Sequence, residues 1–480
     1  MKVLFAASEV APFAKTGGLA DVAGSLPRAL ADLGHDVRVV LPRYRQVDRE
    51  RLGLRHIAQF YVPLAAWKER CDILAGTLGG SVTAYFVNKD IYFDRPSLYG
   101  TLHGDYPDNA ERFIFFSRSI PELCRAVDFA PDIVHCNDWQ TGLVPLYLKR
   151  TYAGVPQFVG TRTVFTVHNL GYQGIFWHWD LPLTGLGWEV FTPDGIEFWG
   201  NMNLLKAGIV SSDAITTVSQ TYAREILTPE YGHGLDGVLR DRIGDLTGIV
   251  NGIDYDEWDP AKDRTIAATF SAARLAGKKT CRSALLRELG LPAGPSAVIG
   301  MVTRLSDQKG LDILIDALPA VLATGVRLVV LGTGDERIHQ LLRDEAHRHP
   351  DQFRLLLTYD DALARRIYAG ADMFLMPSRY EPCGLGQMHA LRYGTVPVVR
   401  RTGGLADTVA DHDPVTGQGT GFLFDDYSGE ALSACVRRAV AVHARPAAWK
   451  RIMQAGMQVD LSWRHSAKEY DKLYRSVLHR

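Results

Sequence analysis

Short apolar runs alternate with stretches of helical period along nearly the whole chain. Lys2–Ser8 reads as a strand, a glycine-bearing loop follows, Leu19–Leu33 has helical spacing, and Asp36–Leu41 reads as a second strand. Further short runs lie at Ile133–His135, Val164–Val167 and Ala214–Val218. A second series comprises Ala297–Thr303, Arg327–Leu331, Arg354–Leu357, Met373–Met376 and Val396–Val399. Strands this apolar are covered on both faces, the mark of parallel sheets flanked by helices. Periodicity lapses across Asn251–Pro260, a polar segment rich in turn formers. The pattern predicts two doubly wound α/β domains, residues 1–250 and 260–455. A final helix at about 456–480, including Trp463 to Leu473, has a pattern that suits packing on either domain.

Length agrees with this division, since 480 residues exceed a single domain of about 150. Lys plus Arg number 53 and Asp plus Glu 54, a formal charge of −1, which argues against a nucleic-acid coat or a polybasic membrane binder. The apolar start, Val3 to Ala7, is too short for a signal peptide and runs straight into Glu9. No run approaches the roughly 18 apolar residues of a membrane span. The six cysteines, Cys71, Cys124, Cys136, Cys281, Cys383 and Cys435, form no C-x-x-C pair. Scattered thiols fit a reducing cytoplasm and argue against a zinc site or a disulfide framework. Glycine is in surplus, 45 of 480 residues against a usual value of about 7%.

The surplus gathers at turns with chemical potential. Thr16-Gly17-Gly18-Leu19-Ala20-Asp21 recurs unchanged as Thr402-Gly403-Gly404-Leu405-Ala406-Asp407, each copy after a basic residue and between a strand and a helix. Such loops sit at the carboxyl ends of strands, where open α/β sheets bind ligands. Ancestry or shared loop geometry explains the repeat as well as one ligand does. Lys15-Thr-Gly-Gly18 suits an anion at a helix start, or a plain tight turn with a solvated lysine; it is no Walker A loop. Gly332-Thr-Gly334 lacks the third glycine of a dinucleotide fingerprint, Arg337 standing in that place, and reads as an ordinary turn. Arg304 and Lys309 flank the turn after a strand and suit a diphosphate clamp or a solvated basic turn. Glu381, in Pro377-Ser-Arg-Tyr-Glu381-Pro-Cys-Gly-Leu-Gly386, stands beside a glycine-bearing helix start at Gln387–Arg392, where a carboxylate can bind hydroxyls. Asp254-Tyr-Asp256 and Asp411-His-Asp413 match the D-x-D metal pattern, but a three-residue match is cheap and no metal is expected. His135 and His168 follow strands, and a lone histidine there is more often structural. Trp177, Trp179, Trp188 and Trp199 cluster with Tyr172 and Phe176, which fits sugar stacking or core packing.

Taken together, the segments resemble bacterial glycogen synthases and plant starch synthases. The likeness runs from end to end through Lys15–Asp21, Asp105-Tyr-Pro-Asp-Asn109, His135-Cys-Asn-Asp-Trp139 and Thr166–Gly174. It continues through Thr216–Ser219, Asn251–Asp254, Arg304–Gly310, Glu381–Gly386 and Arg400–Asp407. The resemblance implies two Rossmann-like domains facing across a cleft and closing over the donor (the GT-B arrangement), with the last helix returning to the first domain. It implies a retaining hexosyltransferase that moves glucose from ADP-glucose to the non-reducing end of an α-1,4-glucan, without a cofactor or metal. Carried over by position, Arg304 and Lys309 neutralise the diphosphate, while Gly18 and the Cys383, Gly384, Leu385 and Gly386 turn supply backbone donors. Tyr359 stacks on adenine, Glu381 meets the sugar, and His168 lies beside the reacting carbon; Lys15, Gly17, Asp21 and Asn251 complete the donor site. Three positions depart from related patterns: His389 stands where related transferases, though not commonly the synthases, carry a second glutamate, Gln220 where a proline is frequent, and Gly386 where Thr or Ser is common.

Charge stabilisation by Arg304 and Lys309 suits departure of a diphosphate in a dry site. Retention arises by double displacement or by same-face attack through an oxocarbenium-like ion, and the latter is favoured. Alternatives are a related GT-B transferase making another glucoside and a non-catalytic two-lobed sugar-binding protein. The expected partners are ADP-glucose and α-1,4-glucan, not nucleic acid or membrane, in the cytoplasm. The oligomeric state, a homo-oligomer included, is open.

Overall fold

The computed structural model describes residues 1–101 and 104–480, and these divide into two compact units. Unit 1 comprises Met1–Gly252 with Trp463–Arg480, and unit 2 comprises Ile253–Ser462. The sheet of unit 1 contains β1 (Lys2–Ala6), β2 (Asp36–Pro42), β3 (Arg55–Leu64), β4 (Trp67–Leu78), β5 (Val82–Asn88), β6 (Ile133–Asn137), β7 (Arg162–Val167), β8 (Ala214–Thr217) and β9 (Leu246–Gly248). Their order is β9-β8-β7-β6-β1-β2-β5-β4-β3. Pairing is parallel from β9 to β5 and antiparallel for β4 and β3. Val3, Leu4, Phe5 and Ala6 of β1 have no exposed surface, as a central strand covered on both faces requires.

This order has one reversal. From β1 the chain passes to β2, runs out to the edge strand β3 and comes back through β4 to β5 beside β2, then crosses to the other side of β1 at β6 and winds outward through β7, β8 and β9. The loops leaving β1 and β6 therefore diverge, and a crevice remains at their carboxyl ends. Unit 2 repeats the device with β10 (Val298–Val302), β11 (Arg327–Leu331), β12 (Phe353–Leu356), β13 (Met373–Met376), β14 (Val396–Arg400) and β15 (Phe422–Phe424). The order is β12-β11-β10-β13-β14-β15, all parallel, with its reversal between β10 and β13.

The predicted strands all form, most with ends shifted by one or two residues. The antiparallel extension of β3 and β4 is an addition to the doubly wound plan. The return to unit 1 comes later than about 456. Residues up to Ser462 stay with unit 2, where helix Pro446–Gln458 packs, the Leu461 carbonyl accepts from the Ile253 N–H at 2.8 Å, and the Tyr255 hydroxyl donates to the Val459 carbonyl at 3.1 Å. The closing helix, Trp463–Leu478, then buries Ala467, Tyr470, Tyr474 and Val477 in the core of unit 1. Its anchor is polar. His135 of β6 lies 2.6 Å from the Tyr474 hydroxyl through Nδ1 and 2.6 Å from the Thr166 hydroxyl through Nε2. His135 is thus the structural histidine of the pair. All six cysteines are free and buried, and among the described residues no helix is long and apolar enough to cross a membrane.

His135 governs stability through its partner and through its protonation. Tyr474→Phe leaves a buried ring nitrogen without its partner and should cost about 1–3 kcal/mol in urea denaturation of unit 1; an unchanged midpoint would contradict the anchor. Burial pushes the His135 imidazole down to about 3 from 6.5. The unfolded ring therefore binds a proton at higher pH than the native ring. Stability from the neutral ring is present above pH 6.5 and is lost as pH falls toward 3, reaching about 3 kcal/mol at pH 4 relative to pH 7. Denaturation of wild type and His135→Gln at both pH values checks this, the variant showing the shallower acid dependence.

Candidate active site

In unit 1 the loop leaving β1 is held by Glu9, a residue the sequence reading passed over. Its buried carboxylate accepts from the Thr16 backbone N–H, the Thr16 hydroxyl at 2.6 Å, the Gly17 N–H at 3.1 Å and the Tyr99 hydroxyl at 2.8 Å. A carboxylate withdrawn from water needs donors of this kind, and here they fix the glycine loop. Gly17 caps the helix Gly18–Asp32 without a side-chain hydrogen bond, so the first N–H groups of that helix fall to backbone, water or ligand partners. Lys15 and Asp21 meet each other across this turn at 2.7 Å.

The loops after β6 and β7 complete the crevice of unit 1. Asp138 has φ 56° and ψ −178°, a conformation that costs energy for any residue but glycine. Its carboxylate accepts the His168 backbone N–H at 2.8 Å. Burial, reinforced by the charge on Glu9, pushes the Asp138 carboxyl up to about 7. His168 Nε2 lies 2.8 Å from Asn137 Oδ1, and the Asn137 amide is oriented by donating from Nδ2 to the Ala6 carbonyl at 2.9 Å. Nε2 therefore carries the proton and Nδ1 is the acceptor nitrogen. Burial drives the imidazole down to about 3, so the ring is neutral near pH 7. Asn251, also in unit 1, is buried, and its Oδ1 finds no hydrogen-bond partner among the described residues. An open pocket of about 400 Å³ is lined by Asp105, Asn109, Trp139, Tyr172, Phe176 and Phe198, among others.

In unit 2 the reversal between β10 and β13 brings together the two loops that the sequence singled out. Lys309 Nζ lies 2.7 Å from Glu381 Oε2, both side chains largely buried, and the Ser378 hydroxyl donates to the same oxygen at 3.0 Å. Gly310 makes this possible. Its φ is +69°, and a Cβ there would stand 2.0 Å from the Pro377 carbonyl oxygen. Arg304 is exposed on the same loop, and Tyr359, beyond β12, is 72% exposed. Cys383 is buried, and its carbonyl accepts from Gln387 Nε2 at 3.0 Å. Leu385 precedes the helix Gly386–Arg392 without a side-chain cap. Gly386 has a steric reason to differ from Thr or Ser: a Cβ there would lie 2.9 Å from the Phe374 ring. His389 stacks on Trp258 with ring centroids 3.6 Å apart, a packing role in place of the missing glutamate.

The D-x-D aspartates hold backbone, Asp254 and Asp413 in turns and Asp411 against strand β15. Asp254 accepts the Asp256 N–H at 2.8 Å, Asp411 accepts the Leu423 N–H at 2.9 Å, and Asp413 accepts the Val415 N–H at 2.8 Å. Among the described residues no cluster of three or more His, Cys, Asp or Glu is arranged to hold a metal ion.

The two copies of the repeated hexapeptide do different work. A Cβ on Gly17 would meet nothing within 4 Å. On Gly403, at φ +42°, it would stand 1.9 Å from the Glu381 carbonyl oxygen, and on Gly404 2.1 Å from that of Cys383. The second copy is thus a backbone-to-backbone buttress under Glu381. Gly17→Ala should keep the wild-type melting temperature, whereas Gly403→Ala should destabilise unit 2 by about 2 kcal/mol or more. Equal melting of the two variants would contradict the distinction.

Residues 2–241 match the family described as starch synthase catalytic domain, and residues 286–453 match glycosyl transferases group 1. A glycogen synthase of Anaeromyxobacter sp. (strain Fw109-5) is 50% identical, covering 99% of each chain. One from Koribacter versatilis (strain Ellin345) is 49% identical, covering 99% of this chain and 98% of the relative. The solved catalytic domain of starch synthase IV from Arabidopsis thaliana, bound to ADP and acarbose, superposes with a TM-score of 0.92 at 35% identity, covering 100% of this chain and 99% of that one. Sucrose-phosphate synthase from Thermosynechococcus elongatus, at TM-score 0.62 and 17% identity, shares the GT-B fold. The chain belongs to the glycogen synthase and starch synthase family of retaining glycosyltransferases.

Proposed function

We propose that this protein is a glycogen synthase that transfers glucose from ADP-glucose to the non-reducing end of an α-1,4-glucan with retention of configuration. The observation that carries the reading is the Lys309–Glu381 pair at the sheet reversal of unit 2, with Arg304 on the same loop. Relatives named as glycogen synthases over the whole length, and a starch synthase neighbour bound to ADP and acarbose, support it.

In this reading Arg304 and Lys309 neutralise the diphosphate as the sugar bond breaks, the charge-stabilising part of the catalysis. Backbone N–H groups at Gly18 and at the Gly384–Gly386 turn meet phosphate oxygens, and the exposed Tyr359 ring takes the adenine. Within unit 1, Lys15, Gly17, Asp21 and Asn251 are the positions that family likeness assigns to donor contacts. Glu381 meets sugar hydroxyls, and neutral His168 offers Nδ1 as an acceptor beside the reacting carbon. The same-face route is favoured because the Glu381 oxygen held by Lys309 and Ser378 is a poor free nucleophile. The two cations supply the charge that a metal supplies elsewhere, so no metal is assigned. A cytoplasmic location without nucleic-acid or membrane partners completes the reading, in keeping with the charge balance.

A panel of donors and acceptors tests this. ADP release is expected from ADP-glucose with glycogen or maltooligosaccharides, faster than with UDP-glucose and undiminished in EDTA, with an α-linked product. Glu381→Gln should lower kcat at least a hundredfold. Activity only on a non-glucan acceptor, or none with any sugar nucleotide, would sink the proposal.

A further inference from the structure

Lysine is almost never buried without an acidic partner, yet Lys278 of unit 2 is 5% exposed and its partners are four oxygens, none of them a carboxylate's. Nζ donates to the carbonyls of Tyr368 at 3.3 Å, Ala369 at 3.1 Å and Tyr393 at 2.9 Å, and to the Thr395 hydroxyl at 2.6 Å. An ammonium has three N–H groups, so the two longest contacts share one. Asp372, the carboxylate whose charge reaches it, is engaged by Arg282 Nε at 3.0 Å. Burying an ammonium is costly, and an apolar side chain of the same volume fills space without that cost. What the cation does that an apolar chain cannot is to hold oxygens from two helices at once.

Both helices open at the proposed donor site. Helix Asp361–Gly370 follows Tyr359 directly after its cap Asp360, whose side chain accepts the Leu363 N–H at 2.9 Å. The last carbonyls of a helix have no partner within it, and Lys278 takes two of these. Helix Gly386–Arg392 opens at the turn of residues 383–386 and ends at Tyr393, whose carbonyl Lys278 takes as well. The Thr395 hydroxyl in turn donates to the Tyr368 carbonyl, which joins the two ends a second time. Lys278 is itself fixed in place. Its helix, Ala276–Glu288, packs so closely on helix Asp361–Gly370 that a Cβ on Gly370 would lie 2.8 Å from the Leu285 Cβ.

A helix moves as a rod, about 15 Å long for ten residues, so a displacement at one end appears at the other. Two rods pinned by one ammonium keep their opposite ends in register. In the proposed function one of those ends carries the ring for adenine and the other the N–H groups for phosphate, and a single nucleotide spans both. An error of about 1 Å between groups that share one ligand costs up to about a hundredfold. We infer that Lys278 is a positioning residue for the donor: from behind the site, its ammonium sets the spacing between the adenine side and the phosphate side. The inference rests on the proposed ADP-glucose donor.

The test uses the full chain, as wild type, Lys278→Met, Thr395→Val and Thr395→Ser. Calorimetric titration of ADP and steady-state ADP release from ADP-glucose with glycogen are measured for each, well below the melting temperature of the weakest variant. Lys278→Met should bind ADP about tenfold more weakly and raise KM for ADP-glucose about tenfold, with kcat and KM for glycogen little changed. Thr395→Val removes one of the four oxygens at nearly constant volume and should show about a threefold loss, whereas Thr395→Ser keeps the hydroxyl and should match wild type. Pyrophosphate reaches the phosphate turn without spanning to Tyr359 and should inhibit wild type and Lys278→Met equally; a tenfold loss for pyrophosphate as well would overturn the spacing role. Wild-type ADP affinity in Lys278→Met would also overturn the inference, as would a fall in kcat at unchanged KM that follows the folded fraction, since Lys278 would then serve stability alone. Should Lys278→Met not fold, wild-type affinity in Thr395→Val decides against it. A wild type that binds no ADP refutes the donor reading itself; a wild type that binds ADP beside indifferent variants refutes this inference alone.

Discussion

A parallel sheet wound outward in two directions must leave its central loops uncovered, and this constraint organises both units. In unit 1 it separates the loops after β1 and β6, which carry Glu9, Gly17 and Asp138. In unit 2 it separates the loops after β10 and β13, which carry Lys309 and Glu381. Residues 72 positions apart in sequence meet at 2.7 Å because the reversal places their strands side by side. The chemistry follows from where the sheet changes direction.

Burial then decides which groups can remain there. A largely buried ammonium and carboxylate are tolerable only together, since removing either strands the other in a poor solvent. Lys309 and Glu381 satisfy that condition, with Ser378 as a further donor. An anion brought to this loop competes with Glu381 for the one ammonium. Ligand binding and the local ion pair are therefore linked. The glycines beneath Glu381 serve the same end by another route: Gly403 and Gly404 let two backbones touch where any side chain would part them.

Much of this was legible in the chain. Buried parallel strands announce themselves as apolar runs, and loops between such strands and helices announce themselves by glycine. The antiparallel edge was not legible because β3, though it carries Ile57, Phe60, Tyr61 and Val62, is exposed over much of its length, is interrupted by Gln59 and contains Pro63, which speaks against a paired strand. Glu9 belongs to no motif in the sequence and only closes an apolar run. Its signal was a lone carboxylate at the carboxyl end of a fully buried strand, which burial obliges to find donors. The repeated hexapeptide misled in one respect, because identical letters hid a difference in surroundings: open space at Gly17 and a carbonyl oxygen at Gly403. Even the backbone differs, with Gly17 at φ −152° and Gly403 at φ +42°, so identical letters fixed neither the local shape nor the role. The late return of the chain to unit 1 had no local signal, since helix Pro446–Gln458 and helix Trp463–Leu478 are both amphipathic and differ in what they face.

Lys309 is the cation that the proposed mechanism assigns to the diphosphate. Calorimetric titration of ADP into wild type and Lys309→Ala tests this without relying on turnover. The variant should bind ADP at least tenfold more weakly, with the wild-type affinity falling as salt is added. Equal affinity in the two proteins would contradict it.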